Sequence, residues 1–379
     1  MIQCAECKGK GRCGLPRCPV VSRFHAQAAI KPSTTYLGSS PSVFIGSFGY
    51  PAVQGGPLLI NDSDHPPDWL NRNLGMDDIV SIRARTIRGR SALPAVAGSL
   101  QEIALSLRPL DVDVAFERPV AFSLNFDGTV APVGLTGPIK SLDINGSARM
   151  ERVVDRITSD TDLGATEACV ALRESAVDVY RISGLMTAGL LGKRRKFVPT
   201  RWAITAVDDT ISGQLKKEIA RYPPIEEIFL FSAEIFGNRI ACLLLPGDWK
   251  YEMIEIWGRK SLWGGEDDVI VQDREGMKKK GYSPITGAYY SARLAACEHL
   301  CKVKRSARVI IVRSVSSDYW APLGTWVVRE AARRAMANTP VMCESLTAAT
   351  GLVSSLLGSD AWVGHSTLIP ELRTQRTLF

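Results

Sequence analysis

Long hydrophobic runs are absent from this sequence of 379 residues. The best candidate, "ISGLMTAGLLG" at residues 182–192, falls well short of the roughly 20 apolar residues that a membrane-spanning helix needs, and it leads directly into "KRRK". The N-terminus "MIQCAECKGKGRCG" also lacks the apolar core of a signal peptide. We therefore expect a cytoplasmic protein that has no membrane contact and keeps its thiols reduced.

The sequence also lacks the short motifs of several large enzyme classes. It has no Walker loop, no GxSxG element and no Rossmann fingerprint, because the "GKGRCG" segment is not followed by a helical pattern. The four histidines, His25, His65, His299 and His365, show no HxxxH or HExxH spacing. These absences argue against nucleotide kinases, serine hydrolases and zinc proteases of the familiar types.

The composition is that of an ordinary folded protein, with 45% hydrophobic and 22% charged residues and no low-complexity tract. The length is above the size at which single cores usually stop growing, so two domains, or one large domain with attachments, are expected. The formal net charge of +7 permits binding to nucleic acid or another polyanion without requiring it.

The pattern of apolar residues, glycines and prolines predicts a mixed α/β fold with a large body and smaller attachments. A basic stretch, "DREGMKKKGYSP" at residues 273–284, is the best candidate linker. We predict a cysteine knuckle at residues 1–20, a main α/β domain at 21–275, a smaller C-terminal α-β-α unit at 276–370 and a tail at 371–379.

Several local elements can be placed within these parts. Residues 41–60, "PSVFIGSFGYPAVQGGPLLI", predict short strands and tight turns, and "EEIFLFSAEIFGNRIACLLLPG" predicts a hairpin that turns at Gly237–Asn238. In the C-terminal unit, helices are expected to start at Pro284 and Pro322, on either side of the strand "ARVIIVRSV".

Four cysteines crowd the first residues, with a CxxC pair followed at intervals of five and four residues: Cys4, Cys7, Cys13 and Cys18. Four thiolates suit a tetrahedral zinc ion, and the intervening glycines permit the tight turns that such a site needs. An iron–sulfur cluster is the main alternative. A disulfide-stapled head fits the expected location less well, and a redox pair at Cys4 and Cys7 is disfavoured because no βαβ pattern flanks it. The other five cysteines lie in apolar contexts and are predicted to be small core residues.

The cysteine segment is also basic. Lys8, Lys10 and Arg12, together with Arg17, could neutralise DNA phosphates, or they could simply be solvated charges.

A second basic stretch, "KRRKFVPTRWAITAVDDT" at residues 193–210, precedes two adjacent carboxylates. It predicts a strand that ends near Val207 and a helix that starts at Asp208 and Asp209, and strand-to-helix junctions are common ligand sites. With Arg201, the two carboxylates could form a metal-dependent nuclease site, or they could only cap the helix. The candidate nucleic-acid contacts here are Lys193, Arg194, Arg195, Lys196, Arg201 and Trp202.

Aromatic and basic residues also meet in "YWAPLGTWVVREAARR". Tyr319, Trp320 and Trp326 could stack on nucleotides, with the neighbouring arginines as phosphate contacts. At helical spacing, however, aromatic residues are more often part of the core.

Taken together, several segments resemble the archaeal Nre family of DNA repair proteins, and the likeness is strongest to its NreA type. The resemblance extends over nearly the whole chain and keeps the motifs in the same order. The segments are "CAECKGKGRCGLPRCP", "GSFGYPAVQGGPL", "RKFVPTRWAITAVDDTIS", "GAYYSARLA" and "QRTLF".

The resemblance implies a protein that acts alongside nucleotide excision repair and binds the sliding clamp PCNA through its C-terminal motif. Carried over to this chain, a glutamine enters a polar pocket of the clamp, while an aliphatic and an aromatic residue fill an apolar one. The full-length motif has a second aromatic residue, which this sequence does not show. The residues implied are Gln375, Thr377, Leu378 and Phe379. The expected function is DNA or nucleotide binding by the basic body with recruitment to the clamp, and the alternatives are a metal-dependent nuclease and a non-enzymatic repair adaptor.

Overall fold

A computed structural model describes residues 4–124, 130–264 and 266–374 of the chain. The mixed α/β prediction is confirmed, because helices alternate with two six-stranded mixed sheets. The chain forms two compact units that divide between residues 211 and 212, except that residues 10–17 group with the C-terminal unit. Among the helices described, none has the length and apolar character needed to cross a bilayer.

The N-terminal unit is built on the first of the two sheets. Its strands are β1 (Ser33–Ser40), β2 (Ser42–Ile45), β3 (Gln54–Leu59), β4 (Ile87–Ala92), β5 (Leu110–Val120) and β6 (Thr136–Asn145). Its helices are α1 (Cys4–Cys7), α2 (Pro19–Ala28), α3 (Pro66–Asn71), α4 (Met76–Arg85), α5 (Leu93–Leu105), α6 (Arg152–Ser159), α7 (Ala165–Glu174) and α8 (Val179–Thr187).

The strands of this sheet follow the order β1-β5-β6-β4-β3-β2, and all neighbours are antiparallel except β4 and β6. Strand β5 shows how one face of the sheet is buried: Val112 and Val114 are inaccessible to solvent, whereas Asp111 and Asp113, which alternate with them, are exposed. This alternation is the expected pattern for a strand with one face on a core. Helix α5 packs against β2, β3, β4 and β6 and contributes Leu100 to the interior.

The C-terminal unit is built on the second sheet. A long helix, α9 (Thr200–Ile219), crosses the division between the units. The strands are β7 (Ile228–Ile235), β8 (Asn238–Leu245), β9 (Lys250–Trp257), β10 (Val269–Glu275), β11 (Arg308–Val315) and β12 (Val341–Cys343). The helices are α10 (Gly287–Val303), α11 (Trp326–Ala337), α12 (Leu346–Leu357), α13 (Ala361–His365) and α14 (Leu368–Thr374).

Strand β11 lies in the middle of this sheet, whose order is β10-β9-β11-β8-β7-β12. Residues Val309 to Val312 are all buried, as expected for a strand that is covered on both faces. On one face, Val312 and Leu243 belong to a cluster with Trp362 of α13 and Ile369 of α14. On the other face, α10 and α11 cover the sheet, and the Tyr251 hydroxyl donates to the carbonyl of Tyr289 in α10 at 3.1 Å.

The predicted hairpin at β7 and β8 is confirmed, although its turn lies one residue earlier than expected. Ile235 pairs with Asn238, so the two-residue turn is Phe236–Gly237, and both residues have positive φ, 51° and 69°. Asn238 is buried and donates from its side chain to the carbonyls of Ile235 and Phe236, both at 3.0 Å. The asparagine therefore stabilises the turn from its first strand position.

The predicted strand before Asp208 is wrong, because residues 200–219 form the single helix α9. Apolar residues recur at every fourth position of this segment, which is the spacing of one helix face. They are all at most 2% exposed: Ala203, Val207, Ile211, Leu215 and Ile219.

The C-terminal α-β-α segment is confirmed as α10, β11 and α11, with helices starting a few residues after the prolines. Strand β11 pairs with β8 and β9, which precede the predicted boundary at residue 275, so one sheet contains strands from both sides of it. The predicted linker begins within β10, and Lys279 in it forms a 2.8 Å ion pair with Asp273.

Charged side chains meet in the interior of the C-terminal unit. The Glu275 carboxylate of β10 binds the Lys216 ammonium of α9 at 2.6 Å and the Arg293 guanidinium of α10 at 2.7 Å. None of the three side chains is more than 6% exposed. Arg293 also donates through Nε to the Ser212 hydroxyl at 3.1 Å. This buried ion network connects α9, β10 and α10.

Candidate nucleic-acid interface

Exposed aromatic rings mark one surface of the N-terminal unit. The loop at residues 46–53 joins β2 to β3 and carries Phe48, which is 97% exposed, and Tyr50, which is 46% exposed. Trp202, in the first turn of α9, is 41% exposed. Its ring meets that of Tyr50 edge to face, with 5.1 Å between centroids. We call Phe48, Tyr50 and Trp202 the aromatic surface.

The base of the loop is held in place by hydrogen bonds that two backbone amides donate. The Ile45 amide at the end of β2 donates to the Thr200 hydroxyl at the start of α9 at 2.9 Å, and the Gly46 amide donates to the Gln54 carbonyl at 2.9 Å. Gly49 has a φ of +77°, a conformation that favours glycine. Ile45, just before the loop, and Val53, its last residue, are buried. The aromatic surface therefore stands on an anchored loop and the adjoining helix.

A cation packs against the strand beneath this loop. The Arg88 guanidinium lies 4.4 Å from the centroid of the Phe44 ring in β2. Burial lowers the pKa of Arg88 to about 10, and the nearby Arg83 acts in the same direction. Arg88 therefore supports β2 through ring stacking.

The predicted basic segment at residues 193–196 connects α8 to α9, and Lys193, Arg194 and Lys196 are exposed on it. Its backbone packs closely against Gly189, where an added Cβ atom would lie 2.9 Å from the carbonyl carbon of Lys196. We call Lys193, Arg194 and Lys196 the basic segment. Arg201, the second residue of α9 and the neighbour of Trp202, is also exposed.

Arg195 differs from its neighbours, because its guanidinium folds back onto the protein. It donates to the backbone carbonyl of Leu190 and, at 2.6 Å, to that of Asp160. Its backbone has a φ of +45°. Arg195 therefore shapes the connection before α9, and the three exposed cations around it are better placed for an external ligand.

The catalytic candidates Arg201, Asp208 and Asp209 are not gathered at a strand end. All three lie in α9, where a rise of roughly 1.5 Å per residue separates Arg201 from the carboxylates by about 10 Å along the axis. Asp208 is fully buried and Asp209 is exposed, so the two side chains face different surroundings. Within the described part of the chain, no group of three or more acidic, histidine or cysteine residues is arranged to hold a metal ion. The junction that motivated a nuclease site is absent.

The cysteine head forms the turns that its glycines predicted. The CxxC pair lies on the short helix α1, and Gly9, Gly11 and Gly14 all have φ between 72° and 77°. Cys7 is buried, Cys18 is half-buried before α2, and Cys13 is exposed on the 10–17 segment. The side chain of Cys4 lies outside the described residues, so the four-thiolate site stays a prediction, with a donor set that is chemically suited to zinc.

The basic residues of the head are on the surface. Lys8, Lys10 and Arg12 are exposed. Arg17 lies within the C-terminal unit over the ring of Trp320, 5.0 Å from its centroid. All four cations of the head are therefore accessible, and Arg17 also contacts an aromatic side chain.

The aromatic residues near α11 belong to the core and do not form a stacking surface. Tyr319, Trp320 and Trp326 are at most 7% exposed, and Arg329 beside them is 1% exposed. The Tyr319 hydroxyl accepts from the Leu323 amide at 2.8 Å, and the Trp326 indole donates to the Leu323 carbonyl at 2.7 Å. The core alternative is therefore confirmed for this segment.

The predicted core cysteines are also confirmed. Cys169, Cys242, Cys297 and Cys343 are buried, and Cys301 is half-buried. Burial raises the pKa of Cys169 to about 12, which keeps this thiol protonated and unreactive.

A cavity of about 510 Å³ opens in the C-terminal unit. Phe229, Phe231 and Met336 line it, and the Phe231 ring meets that of His299 edge to face at 4.9 Å. Burial lowers the pKa of His299, which favours a neutral imidazole. Because these walls are mostly apolar, the exposed rings and cations of the N-terminal unit are the better candidate for a polyanion.

The clamp motif predicted at Gln375, Thr377, Leu378 and Phe379 lies outside the described residues. The preceding helix α14 is anchored by Leu368 and Ile369, both at most 2% exposed. Lys250 also donates to the Glu371 carboxylate in this helix, and that hydrogen bond lowers the pKa of Glu371. The attachment point of the tail is therefore fixed to the C-terminal unit.

Comparison with known families accounts for almost the whole chain. Residues 12–264 match the family described as "Archaeal Nre, N-terminal", and residues 274–379 match "Archaeal Nre, C-terminal". The chain belongs to the archaeal Nre family, as the sequence motifs predicted.

Three relatives carry the name of a DNA repair protein. DNA repair protein NreA of Archaeoglobus fulgidus is 33% identical over 95% of both chains, and NreB of the same organism is 35% identical over 100% of this chain and 99% of its own. NreA of Haloferax volcanii is 30% identical over 82% of this chain and 80% of its own. No solved structure matches the chain.

Proposed function

We propose that the chain is a cytosolic DNA repair protein that binds DNA through its N-terminal unit and is recruited to the PCNA sliding clamp by its C-terminal motif, alongside nucleotide excision repair. The observation that carries DNA binding is the combination of exposed rings and exposed cations around the start of α9. The repair role is supported by the names of the relatives.

The basic segment fits contact with phosphates. Lys193, Arg194 and Lys196 are exposed on a connection whose backbone packs against Gly189. Because this backbone is already held in place, it loses little conformational entropy when DNA binds. Cations of this kind supply the sequence-independent part of DNA affinity through the release of counterions. Arg201 at the start of α9 extends the positive charge toward Trp202.

Replacing Lys193, Arg194 and Lys196 together with alanine should weaken DNA binding about tenfold or more at moderate salt. Each lost phosphate contact should flatten the plot of log affinity against log salt by roughly 0.9, so three contacts should change the slope by about 2 to 3. Fluorescence anisotropy over a salt series measures both quantities.

A matched control removes three exposed cations elsewhere on the same unit: Lys31, Lys140 and Arg152. It changes the net charge equally and should have a much smaller effect on affinity. Equal losses in the two triple variants would mean that net charge, and not the basic segment, determines binding.

We further propose that Cys4, Cys7, Cys13 and Cys18 bind one structural zinc ion. Support comes from the CxxC pair and from the positive φ of Gly9, Gly11 and Gly14. The exposed Lys8, Lys10 and Arg12 would then be additional DNA contacts on a metal-stabilised head.

Metal analysis of the purified protein should find one zinc per chain, and Cys13→Ser should reduce that content strongly. Cys301→Ser, at a half-buried cysteine outside the head, should leave the metal content unchanged. If the protein contains iron and absorbs visible light, the cysteines hold an iron–sulfur cluster and not zinc. If Cys13→Ser retains its metal, Cys13 is not a ligand.

A further inference from the structure

The loop between β2 and β3 carries an unusual side chain for a water-exposed position. Among the described residues, Phe48 is the most exposed large apolar side chain, at 97%. Large apolar groups gain most from burial, so an anchored loop that holds a phenyl ring in solvent is typical of a binding site. The anchoring bonds at Ile45 and Gly46 show that Phe48 is presented from a fixed base.

The other two rings of the aromatic surface are also accessible. Tyr50 and Trp202 touch edge to face at an interplanar angle of 60°, and each keeps more than two-fifths of its surface exposed. Phe48 lies two residues before Tyr50 on the same loop. Ring faces of this kind can stack on flat, aromatic ligands.

The charges around the rings indicate the occupant. Arg201 adjoins Trp202, and Lys193, Arg194 and Lys196 lie just before the same helix. Unpaired nucleotides combine what this surface can bind, because their base faces are open for stacking while their phosphates remain negative. In an intact duplex the bases stack on each other, so only the phosphates are available to the surface.

We propose that Phe48, Tyr50 and Trp202 stack on unpaired bases, so that the N-terminal unit prefers single-stranded or locally opened DNA over intact duplex. This inference rests on the proposed DNA binding and adds its substrate class. The rings supply the preference for unpaired bases, and the basic segment supplies affinity for any DNA.

The test uses the full chain and three probes of equal length: a single strand, a duplex with a central unpaired bubble and an intact duplex. The wild type should bind the first two more tightly. Phe48→Ala should weaken binding to the single strand and the bubble about tenfold and change duplex binding little. The double variant Tyr50→Ala/Trp202→Ala should act in the same direction.

Two further variants separate stacking from other effects. Phe48→Tyr keeps the ring and should restore the preference, whereas Leu37→Ala, at a 74% exposed leucine of β1, should leave all three affinities unchanged. Comparing the bubble with the single strand shows whether opened duplex alone is sufficient. Thermal unfolding of each variant checks that the fold is retained.

The outcomes distinguish this inference from the proposed function. If the wild type binds all three probes equally and with a steep salt dependence, DNA binding stands and the preference for unpaired bases is overturned. If Phe48→Ala weakens binding to all three probes equally, the Phe48 ring does not stack selectively on unpaired bases. If the wild type self-associates and Phe48→Ala abolishes this without changing DNA affinity, the rings form a protein contact. If the wild type binds none of the three probes, both proposals are overturned.

Discussion

Replacing Glu275 with alanine should lower the free energy of unfolding by about 3–5 kcal/mol, one of the largest effects expected from a single substitution in this protein. The carboxylate accepts from both Lys216 and Arg293, and all three side chains are at most 6% exposed. Its removal leaves the two buried cations without their shared acceptor. The free-energy cost of burying unpaired charges is larger than the loss from replacing a whole ion pair with apolar residues. Denaturant unfolding followed by tryptophan fluorescence measures the change.

The ion pair between Glu234 and Arg239 provides a matched control, because its separation of 2.8 Å is similar but the two side chains are 44% and 50% exposed. Glu234→Ala should change stability by about 1 kcal/mol or less. Glu275→Gln, which keeps the shape and one acceptor oxygen, should fall between the two alanine variants. A Glu275→Ala protein as stable as the wild type would show that water or rearranged partners replace the carboxylate.

The network illustrates what sequence alone does not reveal. Lys216, Glu275 and Arg293 are far apart along the chain, and Lys216 and Glu275 have charged neighbours in the sequence. Charged residues are rarely buried, so a local pattern predicts an exposed position for each of them. Only the packing of α9 and α10 beside β10 in the folded unit brings them together.

Regular elements with a strong local pattern were predicted well. The strand β11 is a continuous apolar run, and the α10 and α11 helices follow prolines and lack internal breakers, so the α-β-α order is readable from local signals. The start of helix α9 is predicted wrongly, because the few residues before Asp208, taken alone, have the apolar pattern of a strand. The four-residue spacing from Ala203 to Ile219 needs a longer window to be seen.

The candidate interface was predicted only in part. The charges at 193–196 stand out in the sequence, and the exposure of Lys193, Arg194 and Lys196 agrees with it. Phe48 and Tyr50 were not predicted as contacts, because an aromatic residue is by default a core residue. The glycine-flanked context "GSFGYP" is the signal that could have identified an aromatic loop tip.

Deleting Gln375 to Phe379 should abolish binding to the sliding clamp, with a loss of about 100-fold or more in affinity. Burying a leucine and a phenylalanine side chain contributes roughly 1.5–3 kcal/mol each, and 1.4 kcal/mol corresponds to a factor of ten. The body should remain folded, because Leu368 and Ile369 hold α14 in the core and Glu371 binds Lys250 before the deleted residues begin. Calorimetric titration with the clamp and thermal unfolding measure the two properties separately.

Point variants separate the anchors from the length of the tail. Leu378→Ala/Phe379→Ala should reproduce most of the loss, Gln375→Ala should cause a smaller one, and Arg376→Ala, outside the implied anchors, should bind nearly as well as the wild type. If the truncated chain unfolds at a clearly lower temperature, the apolar residues pack on their own protein and not on the clamp. Because the truncated chain keeps its DNA-binding unit, the fold loss in affinity should be smaller when the clamp encircles DNA than when the clamp is free.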